Sequence, residues 1–226
     1  MSNKTDITIK TYNSIVDEYE VYFKTRDLNG GVQFQKEIDY LVSKLPAGAS
    51  ILDAGTATGD YPRYLTECVN KKFQVIGIDA SNDMIKCAKT KAPKANFQVV
   101  DIRKLEFQKK SFDAIICFAT LIHVNDFDAL SVMKNFDLIL KDNGFIAINV
   151  FEQKINQEKE IFIDEPFNPK YKTYFNHYTK DFFRKWFVEN EYKICEEFDN
   201  GVFNPEIVTE VDDDVNQFSI IAHKIR

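Results

Sequence analysis

The sequence predicts an α/β protein of Rossmann-like type: a mostly parallel seven-stranded sheet with helices on both faces, the last strand antiparallel, and a helical extension at the N-terminus. Three observations carry this. Short, near-continuous apolar runs alternate with helical stretches, the pattern of parallel strands covered on both faces. The first three strands lead into aspartates, Asp53, Asp79 and Asp101. The chain has 226 residues, 44% hydrophobic and 28% charged, which suits a single domain with one large core.

The elements follow in order. Tyr12, Ile15, Val16, Tyr19 and Tyr22 or Phe23 recur at helical spacing within 11–23. Asn29-Gly30-Gly31 breaks the chain, and 32–45 reads as a second amphipathic helix closed by Pro46. Residues 50–54 are the first strand. Residues 61–70 are helical, with Pro62 tolerated in the first turn. A second strand covers 73–79. Ser81 caps the helix SNDMIKCAKTKA before Pro93. Strands at 96–100 and 112–118 come next, then a helix over 126–140 stopped by Asp142-Asn143-Gly144, then a strand at 145–151. Residues 152–178 interrupt the rhythm with polar and aromatic side chains and two prolines. A helix (179–190) and strands at 192–198 and 217–223 finish the fold, with Asp212-Asp213-Asp214 in a hairpin turn.

Charge and composition narrow the partners. The net charge is -6, and no basic stripe is present. A nucleic-acid backbone is therefore an unsuitable partner. Lys71-Lys72 and Lys109-Lys110 read as solvated loop charges. The acidic balance suits cationic or neutral ligands. Cys68, Cys87, Cys117 and Cys195 form no CxxC pair and read as buried free thiols of a reducing compartment. His123, His177 and His223 have no metal-ligand spacing, so no metal is expected. The stretch MSNKTDITIK lacks the apolar run of a signal peptide, and the run 114–122 is too short to span a bilayer. A cytoplasmic monomer or homodimer is expected.

Ligands of open parallel sheets sit beyond the carboxyl ends of the strands. Asp53, Asp79 and Asp101 are thus expected to line one crevice. The loop Asp53-Ala54-Gly55-Thr56-Ala57-Thr58-Gly59 is built of small residues that let the backbone turn tightly. A dinucleotide GxGxxG fingerprint would need glycine at 57 and 60, where the chain has Ala57 and Asp60. An acidic residue opposes a pyrophosphate at that helix start. The ligand should lack phosphate and tolerate acidic neighbours, as a nucleoside with a cationic end does.

The run ILDAGTATG resembles the first motif, D/E-x-G-x-G-x-G, of the class I S-adenosylmethionine-dependent methyltransferases. The resemblance continues through VIGIDASNDMIKCAK, FQVVDIRKL and FDAIICFATLIHV, over about residues 50–151. YNSIVDEY is similar to the first helix of many members. The resemblance implies S-adenosylmethionine as cofactor. Asp53, Ala54, Gly55, Thr56, Ala57 and Gly59 would hold its methionine part. Asp79 would bind both ribose hydroxyls, with Ala80 and Ser81 in the same cofactor set. Met84 would pack on the adenine face. Asp101 would accept from the adenine amine and the Ile102 N–H would donate to the ring. Phe118 and Ala119 would lie beside the methionine. Tyr12 or Tyr19 would cover the cofactor, or merely pack helix on sheet. Ala57 replaces the usual middle glycine, which is accommodated if its φ stays below zero.

The implied reaction is an in-line displacement at a sulfonium methyl, served by alignment and exclusion of water. His123 is the candidate general base, or else a residue that shapes the pocket. After the fifth strand such proteins often build the acceptor pocket. Here Tyr171, Tyr174, Phe175, His177 and Tyr178 are the candidates, with a lid or dimer contact as the other reading. Residues 1–46 would then cover the cofactor, 50–151 bind it, 152–178 form the acceptor pocket or lid, and 179–226 close the sheet. The expected function is methyl transfer to an oxygen or nitrogen of a small molecule. A tRNA or protein acceptor, or a non-catalytic sensor or scaffold that binds the cofactor, stands as the alternative.

Overall fold

The computed structural model describes residues 3–25, 32–203 and 215–225. Its strands are β1 (Ser50–Ala54), β2 (Gln74–Asp79), β3 (Asn96–Val99), β4 (Phe112–Phe118), β5 (Leu140–Phe151), β6 (Glu160–Asp164), β7 (Lys172–Asn176), β8 (Tyr192–Phe203) and β9 (Val215–Lys224). Seven of them form one sheet in the order β3-β2-β1-β4-β5-β9-β8. The first five pair in parallel, and β9 runs antiparallel to both β5 and β8. The strand order reverses between β1 and β4, which opens a crevice at their carboxyl ends.

Side-chain alternation along each strand feeds two apolar layers. Leu52, Ile115, Cys117, Ile148 and Ile220 pack on one face with Val132, Met133 and Phe136 of α6 (Asp126–Ile139), and with Phe183, Trp186 and Phe187 of α7 (Lys180–Glu189). Ile51, Val75, Ala114, Ile116 and Ile221 pack on the other with Ile38 and Leu41 of α3 (Gln35–Lys44). Each fully buried aliphatic side chain contributes about 1.5–3 kcal/mol. This two-sided burial is why the strands read as unbroken apolar runs.

Several elements differ from the expectation. The N-terminal segment is two helices, α1 (Asn3–Ser14) and α2 (Val16–Thr25), broken at the fully buried Ile15. The carbonyl of Ile15 accepts from Tyr19 N–H and so starts the second helix. The helix expected over 61–70 is α4 (Asp60–Arg63) followed by a π-helical turn, Tyr64–Cys68, closed by Val69 N–H to Tyr64 C=O. Asp142-Asn143-Gly144 does not stop α6. Leu140 already pairs with Phe112 and Phe145 with Ala114, so 141–144 bulge out within β5, with Asn143 at φ 59°. Residues 152–178 hold an antiparallel pair of their own, β6 and β7. Lys71 is no free loop charge: its ammonium donates to Val42 C=O (2.7 Å) and Leu45 C=O (2.8 Å) at the end of α3. Of the four free cysteines only Cys117 is buried, and Cys68 is exposed because the π turn faces outward there. Asn29 to Gly31 and Asp212 to Asp214 lie outside the described residues. Among the described residues no helix is long and apolar enough to cross a membrane, and no group of His, Cys, Asp or Glu is arranged to hold a metal ion.

Candidate functional site

The loop after β1 is shaped by left-handed backbone. Gly55 and Gly59 both have φ 87°, and Ala57 has φ 46°. Gly55 N–H and Thr56 N–H both donate to Ile78 C=O at 2.8 Å, which folds the loop back over β2. A Cβ on Gly55 would lie 1.9 Å from the hydroxyl of Thr120, so only glycine fits there. Ala57 does not meet the condition of a negative φ. Its N–H points at the Asp79 carboxylate (3.0 Å), and that bond holds the residue in the left-handed region. The left-handed conformation costs an alanine about 1–2 kcal/mol. Ala57→Gly is therefore expected to raise stability by up to about 1 kcal/mol in urea unfolding, the relief being partly offset by the freer unfolded chain. A loss of stability would show that the methyl group itself packs usefully.

Asp79 ends β2 at the rim of the crevice. One carboxylate oxygen accepts Ala57 N–H and the other accepts Ser81 N–H (2.8 Å). Each oxygen keeps a lone pair for a further donor. Burial pushes the carboxyl up to about 6, against the pull of the Ser81, Ala57 and Ala80 N–H groups. Ser81 then caps α5 (Asn82–Lys91) by accepting Met84 N–H at 3.1 Å. Asp53 lies behind the loop, 1% exposed, with Oδ2 lacking any partner. Burial raises its carboxyl to about 7, and the charges of Asp79 and Asp60 add to the rise. Thr56 Oγ1, likewise buried, lies beside that carboxylate and pulls against the rise.

Asp101 also reaches the crevice, but its carboxylate is engaged. It caps a short 3-10 turn, Ile102–Lys104, through Arg103 N–H (2.9 Å) and is gripped by the Arg103 guanidinium at 2.6–3.0 Å. Arg103 further reaches Asp6 on α1 (2.7 Å).

The two N-terminal helices roof this crevice. Thr5, Thr8 and Thr11 repeat every third residue along α1. Thr5 donates to His123 C=O, Thr8 accepts Tyr174 N–H, and Thr11 donates to Lys172 C=O, at 2.7–3.1 Å. Asn13 accepts from the Ser81 hydroxyl (2.9 Å) and Asp83 N–H, tying α1 to α5. Lys91 fastens α2 to the loop, pairing with Glu20, Thr58 (2.9 Å) and Asp60 (3.2 Å).

The crevice holds about 1110 Å³ of empty space, the open solvent at its mouth included. Gly55, Ala57, Asp79, Ala80, Met84, Asp101 and Ile102 line its inner end, with Tyr12 and Tyr19 above and Phe118, Ala119 and His123 toward the other end. Asp53, Ala54, Thr56, Gly59 and Ser81 lie behind this surface and do not line it. Of the five aromatic candidates, only Phe175 reaches the space. Tyr174 and Tyr178 are each 1% exposed in the packing, and Tyr178 OH donates to Leu121 and Val124 carbonyls. His177 binds Lys159 C=O, and Tyr171 stands outside. The insert instead contributes Glu165, Pro166 and Phe167. The sequence reading also missed Phe151, Thr120, Gln33 and Gln217 on the walls.

His123 is wedged against Tyr12 and Phe175, with ring centroids 5.3 and 5.1 Å away. Its Nδ1 donates to Tyr174 C=O (2.9 Å), which leaves Nε2 as an acceptor, 3.3 Å from Tyr12 OH. Burial lowers its pKa to about 4, so the ring is neutral at ordinary pH.

A parallel sheet with an inserted antiparallel last strand, a left-handed loop after β1 and an unpaired acid behind it defines the class I S-adenosylmethionine-dependent methyltransferase fold. Residues 51–144 match the methyltransferase domain family. It is similar to a demethylmenaquinone methyltransferase of Lactococcus lactis, 31% identical over 146 residues that cover 60% of this chain and 55% of that one. The chain thus spans little more than half the length of that relative. A Methanosarcina mazei S-adenosylmethionine-dependent methyltransferase structure aligns with TM-score 0.68 at 21% identity, over 82% of this chain and 97% of that one. The magnesium protoporphyrin IX methyltransferase of Synechocystis with bound S-adenosylmethionine aligns with TM-score 0.68 at 17% identity, over 99% and 98%.

Proposed function

We propose that this protein is an S-adenosylmethionine-dependent methyltransferase acting on an oxygen or nitrogen of a small molecule. The observation that carries the reading is Asp79: a half-buried carboxylate at a crevice rim, oriented by two backbone N–H groups, with one lone pair per oxygen left for a vicinal diol. Asp53, buried behind the loop with no cation beside it among the described residues, adds negative potential that favours a cationic group in the adjoining crevice. Asp101 offers little to an adenine amine while Arg103 holds it, so Met84 and the Ile102 N–H carry that end of the site.

Bound there, the cofactor supplies an electrophilic methyl on a good leaving group. The chain's part is to orient, to exclude water and to receive a proton. Tyr12 and Tyr19 roof the crevice and keep solvent out. The Nε2 lone pair of neutral His123 accepts the Tyr12 O–H, so a proton from the acceptor would reach the ring through Tyr12, which takes it as its own proton moves to Nε2. The imidazolium so formed, with a pKa of about 4, gives the proton up to solvent when the product leaves. Removing the ring in His123→Ala is expected to lower kcat about tenfold while S-adenosylhomocysteine affinity changes by less than about threefold. Because the pKa is depressed, the wild-type rate should show no His123 inflection between pH 6 and 8. An unaltered kcat would leave His123 as a wall of the pocket only.

The reading itself is tested by incubating the protein with methyl-labelled S-adenosylmethionine and metabolite extracts, with tRNA and bulk protein as separate pools. Label in the small-molecule fraction is expected. Cofactor binding with label in none of the pools would make the protein a sensor.

A further inference from the structure

From the acceptor end of the crevice we infer that the methyl acceptor is an amine bound through its N–H groups by Glu165 and Gln217, and that phosphorylated or carboxylated acceptors are rejected. This rests on the methyltransferase reading and deepens it.

The first observation is Gln217. It sits opposite Phe151 in the β5/β9 register, is 4% exposed and lines the crevice. Its Oε1 has no hydrogen-bond partner. A buried carbonyl left unpaired costs about 1–3 kcal/mol, which a donor on the ligand recovers.

The second is Glu165, also on the crevice wall and 1% exposed. Its carboxylate accepts from the Thr173 hydroxyl and from Phe167 N–H (3.4 Å), both neutral groups. Among the described residues no Lys or Arg pairs with it. A buried carboxylate in that state is suited to a cation. Phe151, Phe167 and Phe175 stand around the same space, Phe151 and Phe175 with centroids 5.4 Å apart, and their faces favour an ammonium over an anion.

The third is what the walls lack. Among the described residues lining the crevice there is no Lys or Arg, while Asp79, Asp101 and Glu165 are acidic. A phosphate or carboxylate would be stripped of water beside Glu165 with no cation to receive it. Gln217 also offers a neutral Nε2 donor and His123 Nε2 already accepts the Tyr12 O–H, which leaves Glu165 Oε and Gln217 Oε1 as the open acceptors at this end. They match a group that brings two or more N–H donors. The proton that an ammonium must shed to free its lone pair passes to the Glu165 carboxylate, leaving a neutral amine with N–H still bound to Gln217; the second proton, lost after methylation, is the one that falls to the Tyr12–His123 pair.

The test uses the full chain saturated with S-adenosylhomocysteine and calorimetric titration with a size series of primary amines (methylamine, benzylamine, tryptamine) against phenylacetate and phenyl phosphate. At least one amine is expected to bind, and neither anion. Glu165→Gln should weaken that amine about 10- to 100-fold, and Gln217→Met about 5- to 20-fold, with S-adenosylhomocysteine affinity held. The Gln217→Met variant keeps the test alive if Glu165→Gln does not fold, since the side chain is nearly isosteric. Anions that bind as tightly as the amines, amines that all fail to bind, or amine affinity unmoved by the folded variants would overturn the inference. Failure of S-adenosylhomocysteine itself to bind would instead bring down the methyltransferase reading beneath it.

Discussion

Asp79→Ala is expected to weaken S-adenosylhomocysteine binding by about 10- to 100-fold, because two charge-assisted hydrogen bonds to a diol are lost together. The geometry adds a second cost. Asp79 also accepts from Ala57 N–H and Ser81 N–H, so its removal unpairs two backbone donors and frees the left-handed loop after β1. Asp79→Asn separates the two effects. It keeps one acceptor oxygen and the side-chain volume, so affinity should fall between wild type and Asp79→Ala. Titration calorimetry reads both variants. Affinity should also tighten as pH rises through about 6, where the wild-type carboxyl ionises, because the bound diol favours the charged acceptor. An Asp79→Ala protein that binds as well as wild type would mean that the ribose is held elsewhere.

The sheet and its cofactor-facing end were legible because they rest on patterns that sequence preserves. Parallel strands covered on both faces must be apolar throughout, so β1, β2, β4 and β5 announce themselves. A strand that ends in aspartate before a capped helix, as β2 does at Asp79 and Ser81, states its own turn. The roof over the crevice left no such trace. Thr5, Thr8 and Thr11 form the docking face of α1 through hydroxyls, and a search for apolar periodicity passes over them. Spacing of three among threonines was the available signal.

The insert was less legible for a different reason. Its aromatic richness left a pocket, a lid and a dimer contact all open, and most of those rings serve β7 as core, with Tyr174 and Tyr178 buried against the sheet end. Aromatic content cannot say which side of a short strand faces the ligand, because a one-residue slip exchanges the faces. Asp101 illustrates the same limit at a single residue. Its place at a strand end was right, but the partner two residues later, Arg103, takes up the carboxylate. Sequence separation alone does not tell a ligand-facing acid from one held by its neighbour.

Asp53→Asn should make the unliganded protein more stable at pH 8, even as it weakens cofactor binding. Asp53 has no partner for Oδ2, and its carboxyl rises from 3.8 to about 7 on folding, chiefly through burial. An acid whose folded pKa is raised stabilises the fold while protonated. That contribution is present below pH 4, is lost as pH rises through about 7, and stays lost above it. The shift corresponds to at most about 4 kcal/mol, and Asp79 works in the same sense up to about pH 6. Asp6, Glu20 and Glu197 are held low by cations and act oppositely at acid pH. The readout is therefore the difference between wild type and Asp53→Asn, measured by urea unfolding at pH 5 and pH 8. The variant should gain about 2–4 kcal/mol at pH 8 and about 1–2 kcal/mol at pH 5, where the unfolded carboxyl is already ionised. Saturating S-adenosylhomocysteine should shrink that gain, because its ammonium gives the wild-type carboxylate the partner it lacks. Equal stability of the two proteins at pH 8 would mean that the Asp53 carboxylate is already satisfied, and that the fold keeps it for structure rather than for a cationic ligand.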